Sequence, residues 1–132
     1  MPPPAIDARK AVILCVDDEK VPLLVRSRVL EKAGHEVLSA NSAVEALELL
    51  QSHLVDLVLT DLLMPGMNGE ELAREVKTRL PSMPVVLFSG VNQLPSESSR
   101  ADLFVSKLEG PDYLCQKIAE ILGQFQSPAA DA

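Results

Sequence analysis

Tryptophan is absent from this chain of 132 residues, and the aromatic complement is one tyrosine and three phenylalanines, so its core must be built from aliphatic side chains. Cys15 and Cys115 are the only cysteines. They stand far apart with no second ligand near either, which excludes both a close-spaced metal motif and a disulfide framework. We expect both thiols to be reduced and buried as small apolar residues. Histidine is as scarce: His35 sits between Gly34 and Glu36 in a turn and His53 follows a helical pattern, so both read as surface residues and not as ligands or bases. Basic residues are few, 12 against 19 acidic, and the net charge of -7 would repel a phosphate backbone, which argues against direct nucleic-acid binding. No run approaches the roughly 20 apolar residues of a membrane helix. The opening Met1-Pro2-Pro3-Pro4 lacks the charged-then-apolar order of a secretory leader. These absences predict a cytoplasmic protein with no membrane contact.

What remains is an ordinary globular composition, 47% hydrophobic and 23% charged, in a chain long enough for one core. Val12 to Val16 is a short apolar run ending in Asp17-Asp18-Glu19, the pattern of a strand buried on both faces. From Pro22 to Ala33 apolar residues such as Leu23, Leu24 and Leu30 alternate with Arg26, Arg28, Glu31 and Lys32 at helical spacing, and Gly34 supplies a stop. A second strand, Glu36 to Ala40, precedes a helix with the capping-box pair Ser42 and Glu45. Leu57 to Thr60 forms a third strand that delivers Asp61 and breaks at Pro65-Gly66. Asn68 with Glu71 caps the next helix, which Pro81 terminates. Val85 to Ser89 is a fourth strand and Asp102 to Ser106 a fifth, and a last helix runs from Pro111 to Leu122 with Gly123 as its stop.

Strands alternating with helices require a mostly parallel sheet covered on both faces. Five strands suit the doubly wound, flavodoxin-like α/β order 2-1-3-4-5. The expected domain is 11–123, with disordered tails at 1–10 and 124–132. In such a sheet the ligand site lies beyond the carboxyl ends of the strands. Those ends carry Asp17 and Asp18, then Asp61, Ser89 and Lys107. Each alone has a plain explanation as a solvated turn, a cap or a surface lysine. Together they place three carboxylates in one cleft, where like charges raise each other's pKa unless a hard cation such as Mg²⁺ relieves the conflict.

The stretches Val16-Asp17-Asp18-Glu19, Asp56 to Gly69, Val85 to Gly90 and Phe104-Val105-Ser106-Lys107, taken in order, resemble the receiver domain of two-component response regulators, over roughly Ala11 to Gly123. The resemblance implies that Asp61 is the phosphoacceptor and that Asp18, Asp61 and the backbone carbonyl of Leu63 ligate Mg²⁺ while Asp17 holds a metal-bound water. It further implies that Lys107 and Ser89 contact phosphoryl oxygens, and that Ser89 and Phe104 form the switch. The phosphodonor would be a sensor histidine kinase or a histidine phosphotransfer protein. Output would pass by protein contact to a downstream target, and the chain would catalyse only its own phosphorylation and dephosphorylation. With no second domain after the last helix, a stand-alone receiver is the expectation.

Two departures modify it. The family's proline after the lysine is replaced by Leu108, and since a cis bond before leucine costs about 3 kcal/mol, that turn should be trans. Gly90 to Ala101 offers twelve positions, whereas a helix of about 11 residues with two connections of about 4 needs roughly 19. The helix between strands four and five should therefore be short, irregular or missing, with Pro95 to Arg100 as its remnant. Leu63 and Val91, two positions after Asp61 and Ser89, would flank the acyl phosphate and are too apolar to orient an attacking water, which predicts slow dephosphorylation. The competing readings are a receiver-fold interaction module that works without phosphorylation, and an aspartate-dependent phosphatase. The phosphatase needs a second carboxylate where Leu63 stands.

Overall fold

A computed structural model describes residues 11–90 and 95–125. The five apolar runs become β1 (Val12–Val16), β2 (Glu36–Ala40), β3 (Leu57–Asp61), β4 (Val85–Ser89) and β5 (Leu103–Ser106), and the helices are α1 (Lys20–Lys32), α2 (Ala43–Ser52), α3 (Gly69–Arg79) and α4 (Pro111–Phe125). All strand pairs are parallel and the order is β2-β1-β3-β4-β5, the flavodoxin-like arrangement expected from the alternation of elements.

The alternation of side chains along each strand divides the core into two layers. Ile13, Cys15, Leu57, Leu59, Val86 and Val105 face α1 and α4, where Leu23, Leu30, Leu114 and Ile118 meet them. Leu14, Val16, Val58 and Val85 face α2 and α3, where Ala46, Leu47, Leu72 and Val76 meet them. Residue volumes are modest throughout, as a core without tryptophan requires.

Helix ends follow the local chemistry. Asn68 Oδ1 accepts the Glu71 N–H and Glu71 Oε1 accepts the Asn68 N–H, both at 2.9 Å, a complete capping box. At α2 the Ser42 hydroxyl accepts the Glu45 N–H, but the Glu45 carboxylate reaches the Asn41 N–H instead of closing the box. Pro22 falls inside the first turn of α1, where its missing N–H is harmless, so the helix starts at Lys20 instead of Pro22. Gly34 adopts φ 101°, the left-handed turn that ends this helix.

Gly123 does not stop the last helix, which continues to Phe125. Its stripe of Leu114, Ile118, Ile121 and Leu122 is seated on the sheet, and this packing outweighs the weak helix propensity of one glycine. Residues 124 and 125 therefore belong to α4 and not to a tail. The expected tails at 1–10 and from 126 onward lie outside the described residues, as does Val91. Among the described residues between β4 and β5 there is no helix; Pro95 to Arg100 forms a turn closed by the Ser99 N–H on the Ser96 carbonyl. It is tied to α3 by Glu70, whose carboxylate accepts the Ser96 N–H and hydroxyl at 2.6 and 3.1 Å. The Lys107–Leu108 bond is trans.

Two minor expectations are corrected. Cys15 is buried, but Cys115 is only half-buried because it lies at the edge of the helix stripe. His35 is likewise half-buried and not a free surface residue: its Nδ1 is enclosed without a hydrogen-bond partner, and desolvation lowers its pKa. Among the described residues no helix is long and apolar enough to cross a membrane.

Candidate functional site

Parallel pairing aligns the carboxyl ends of β1, β3, β4 and β5 along one edge of the sheet. The register sets Val16 beside Thr60, Asp61 beside Phe88 and Ser89 beside Ser106, so the residues that follow these positions share one cleft. One carboxylate oxygen each from Asp17, Asp18 and Asp61 lies within 4.8 Å of the others. Asp17 and Asp61 are buried, Asp61 being 5% exposed, while Asp18 opens to solvent.

Lys107 arrives from beyond β5, positioned by its own N–H on the Ser89 carbonyl at 2.7 Å. Its Nζ lies 2.6 Å from Asp61 Oδ1. The approach is off the direction of a good hydrogen bond, so this buried oxygen has a charge partner but no well-aligned donor. Burial pushes the Asp61 carboxyl above its ordinary value, while Lys107 opposes the rise and Asp17 adds to it.

The donor set fits a hard divalent cation. Three convergent carboxylates, one with an oxygen lacking an aligned donor, offer what Mg²⁺ takes from protein: a few oxygens, with room on the Asp18 side for water. Asp17 is less available than its neighbours, because Oδ1 accepts the Glu19 N–H at 2.9 Å and Oδ2 accepts from Arg26 Nη1 at 3.1 Å.

Of the residues anticipated from sequence, Asp17, Asp18, Asp61 and Lys107 come together. Ser89 is fully buried at the tip of β4, in the strand next to Asp61. Phe104 is half-buried in β5, paired with Leu87 and one strand further out. The Leu63 side chain is 53% exposed and lies in the loop after β3.

Three contributors escaped the sequence reading. Gly69, the first residue of α3, packs its Cα against the backbone of Asp61 and Leu62. Phe88 carries the Arg26 guanidinium at 4.5 Å and the Lys107 ammonium at 5.8 Å from its ring centroid. Arg26, grouped by the helical pattern with Arg28, Glu31 and Lys32, is buried at 7% exposure. Its signal was present, since Leu23, Arg26, Ser27 and Leu30 follow the three-and-four spacing of one inward stripe.

A family model described as the response regulator receiver domain matches residues 13–119. The transcriptional regulatory protein GlrR of Escherichia coli is 32% identical over an alignment of 127 residues that covers 93% of this chain and 28% of that protein, so the chain spans under a third of this relative's length. Among solved structures, a CheY-like receiver domain protein from Methanospirillum hungatei superposes with a TM-score of 0.82 at 30% identity, over 89% of this chain and 98% of that one. The response regulator TrrA from Thermotoga maritima, in complex with Mg²⁺ and BeF, gives a TM-score of 0.79 at 31% identity, over 84% and 98%.

Proposed function

The chain belongs to the response regulator receiver domain family, and on that premise we propose that Asp61 accepts a phosphoryl group from a phosphohistidine in a Mg²⁺-dependent reaction. The observation that carries the proposal is the buried Asp61 carboxylate, 2.6 Å from Lys107 Nζ and clustered with Asp17 and Asp18. Asp18, Asp61 and the Leu63 carbonyl would hold the cation and Asp17 a water bound to it. Bound there, Mg²⁺ would neutralise charge on the oxygens of the transferring group.

The protein's own contribution is position and charge. One Asp61 oxygen forms the new O–P bond as the donor's P–N bond breaks and the imidazole leaves with the electron pair. Asp61 must be ionised to attack, and Lys107 favours that state against the desolvation that opposes it. Lys107, already placed beside Asp61, then pairs with a second phosphoryl oxygen at little cost in rearrangement, and the Ser89 hydroxyl moves in to donate to a third. Drawing Ser89 inward vacates space for Phe104, so a change of charge at Asp61 becomes a change of packing at β5.

The donor would be a sensor histidine kinase or a histidine phosphotransfer protein. An apolar groove of about 430 Å³ beside the site, lined by Val21, Val25, Phe88, Pro111 and Leu114, suits the docking of a donor helix. The turn at Pro95 to Arg100, where receivers with a full fourth helix carry that helix, changes the surface offered to the downstream target, so partner choice should differ from theirs.

Intact-mass measurement after acetyl phosphate and Mg²⁺ tests the reading. The native chain should gain one phosphoryl group and Asp61→Asn none; equal labelling of the two, or no labelling of either, refutes the assignment.

A further inference from the structure

Arg26 sits where an aliphatic residue would serve packing equally well. It shares the inward stripe of α1 with Leu23 and Leu30, yet sends its guanidinium to Asp17 Oδ2 and lays it on the Phe88 ring. The charge count of the cleft depends on it. Asp17, Asp18 and Asp61 carry three negative charges, and Lys107 and Arg26 two positive ones, leaving a single net negative charge where a divalent cation would bind.

We propose that Arg26 is a positioning residue that holds Asp17 away from the cation and sets the Mg²⁺ affinity of the cleft lower than its three carboxylates would give. The inference rests on the reading of this cleft as the metal site. With Glu19 N–H on one oxygen and Arg26 on the other, Asp17 is kept in place beside the cluster with both oxygens engaged. Burial magnifies the effect, because the Arg26–Asp17 pair is 7% and 2% exposed and little water screens its charges. Without the guanidinium, Asp17 is a buried carboxylate lacking a cation, and a divalent ion becomes its readiest partner.

The test is Mg²⁺ titration of the full chain by calorimetry. Arg26→Met keeps the length and apolar contact of the stem and removes the charge; it should tighten Mg²⁺ binding by at least about tenfold, the effect of removing a unit charge roughly 6 Å from a divalent ion even when screened as in water, at a dielectric of about 80. Arg26→Lys keeps the charge and should stay within about threefold of native. The rise in Tm on adding Mg²⁺ should be larger for Arg26→Met than for the native chain. In an Asp17→Asn background the same Arg26→Met change should shift affinity by less than in the native chain, because only the direct repulsion of the ion is then relieved and no Asp17 carboxylate is released.

Unchanged or weaker Mg²⁺ binding by Arg26→Met overturns the role of Arg26 while leaving the metal site standing. Absence of Mg²⁺ binding by the native chain defeats the reading of the site itself, and this inference with it. Should Arg26→Met fail to fold, Arg26→Gln, which keeps polar reach but no charge, carries the same expectation.

Discussion

Replacement of Gly69 by alanine isolates one steric demand of the site. Gly69 does not have positive φ, so conformational freedom is not what holds glycine there. Its N–H donates to the Leu62 carbonyl at 2.8 Å, drawing α3 against the end of β3. A Cβ at this position would overlap the Asp61 carbonyl oxygen and stand 3.0 Å from Leu62 Cα and 3.1 Å from the Asp61 carbonyl carbon. Carbon atoms pack comfortably at about 3.5 to 4.0 Å, and these neighbours are backbone atoms that cannot rotate away. Relief requires moving the start of α3 or the Asp61 peptide, an overpacking cost of about 1–3 kcal/mol. Helix propensity acts the other way, since alanine is favoured over glycine by at most about 1 kcal/mol within a helix. The expected net change is a loss of about 1–2 kcal/mol in urea denaturation. Because the displaced peptide is that of Asp61, labelling by acetyl phosphate should slow as well, by up to about a hundredfold if the carboxylate moves by about 1 Å. An alanine variant as stable as the native chain, labelled at the native rate, would refute the argument, because propensity alone would then decide the sign.

Leu63→Asn should shorten the life of the phosphorylated form several-fold in a phosphate-release assay, since an exposed amide two positions after Asp61 can orient the attacking water that leucine cannot. In metal-free protein, a ¹³C-detected carboxyl titration should find the Asp61 midpoint above the ordinary 3.8, and Lys107→Met should move it higher still. The sign follows from burial: the ionised form is disfavoured in the fold, so ionised Asp61 costs stability above its folded pKa and this cost is relieved as the pH falls through it. Asp102→Ala removes the carboxylate that sits 2.6 Å from the buried Lys77 ammonium and that accepts the Val85 N–H at 2.8 Å. The expected loss is about 2–3 kcal/mol by thermal or urea denaturation, discounted because Asp102 is partly exposed; a loss under about 0.5 kcal/mol would show the clasp to be dispensable.

Five strands, their order, the capping box at Asn68 and the convergence of Asp17, Asp18, Asp61 and Lys107 were legible in the residues themselves. Hydrophobic period, turn chemistry and chain direction are local properties, and in a parallel sheet local order already places every strand's carboxyl end on one edge. The shortfall between Ser89 and Asp102 announced in the same way, as a matter of length, a helix that is short, irregular or missing, and among the described residues of that segment there is only a turn. What only the tertiary structure decided depends on contacts between distant segments. Gly123 stays helical because a neighbouring stripe is anchored on the sheet, and Gly69 is required because α3 touches the backbone of β3. Arg26 turned inward because a buried Asp17 and the Phe88 ring were there to receive it. A charge on a helix is solvated or buried according to what faces it, and a face is created only when the chain has folded.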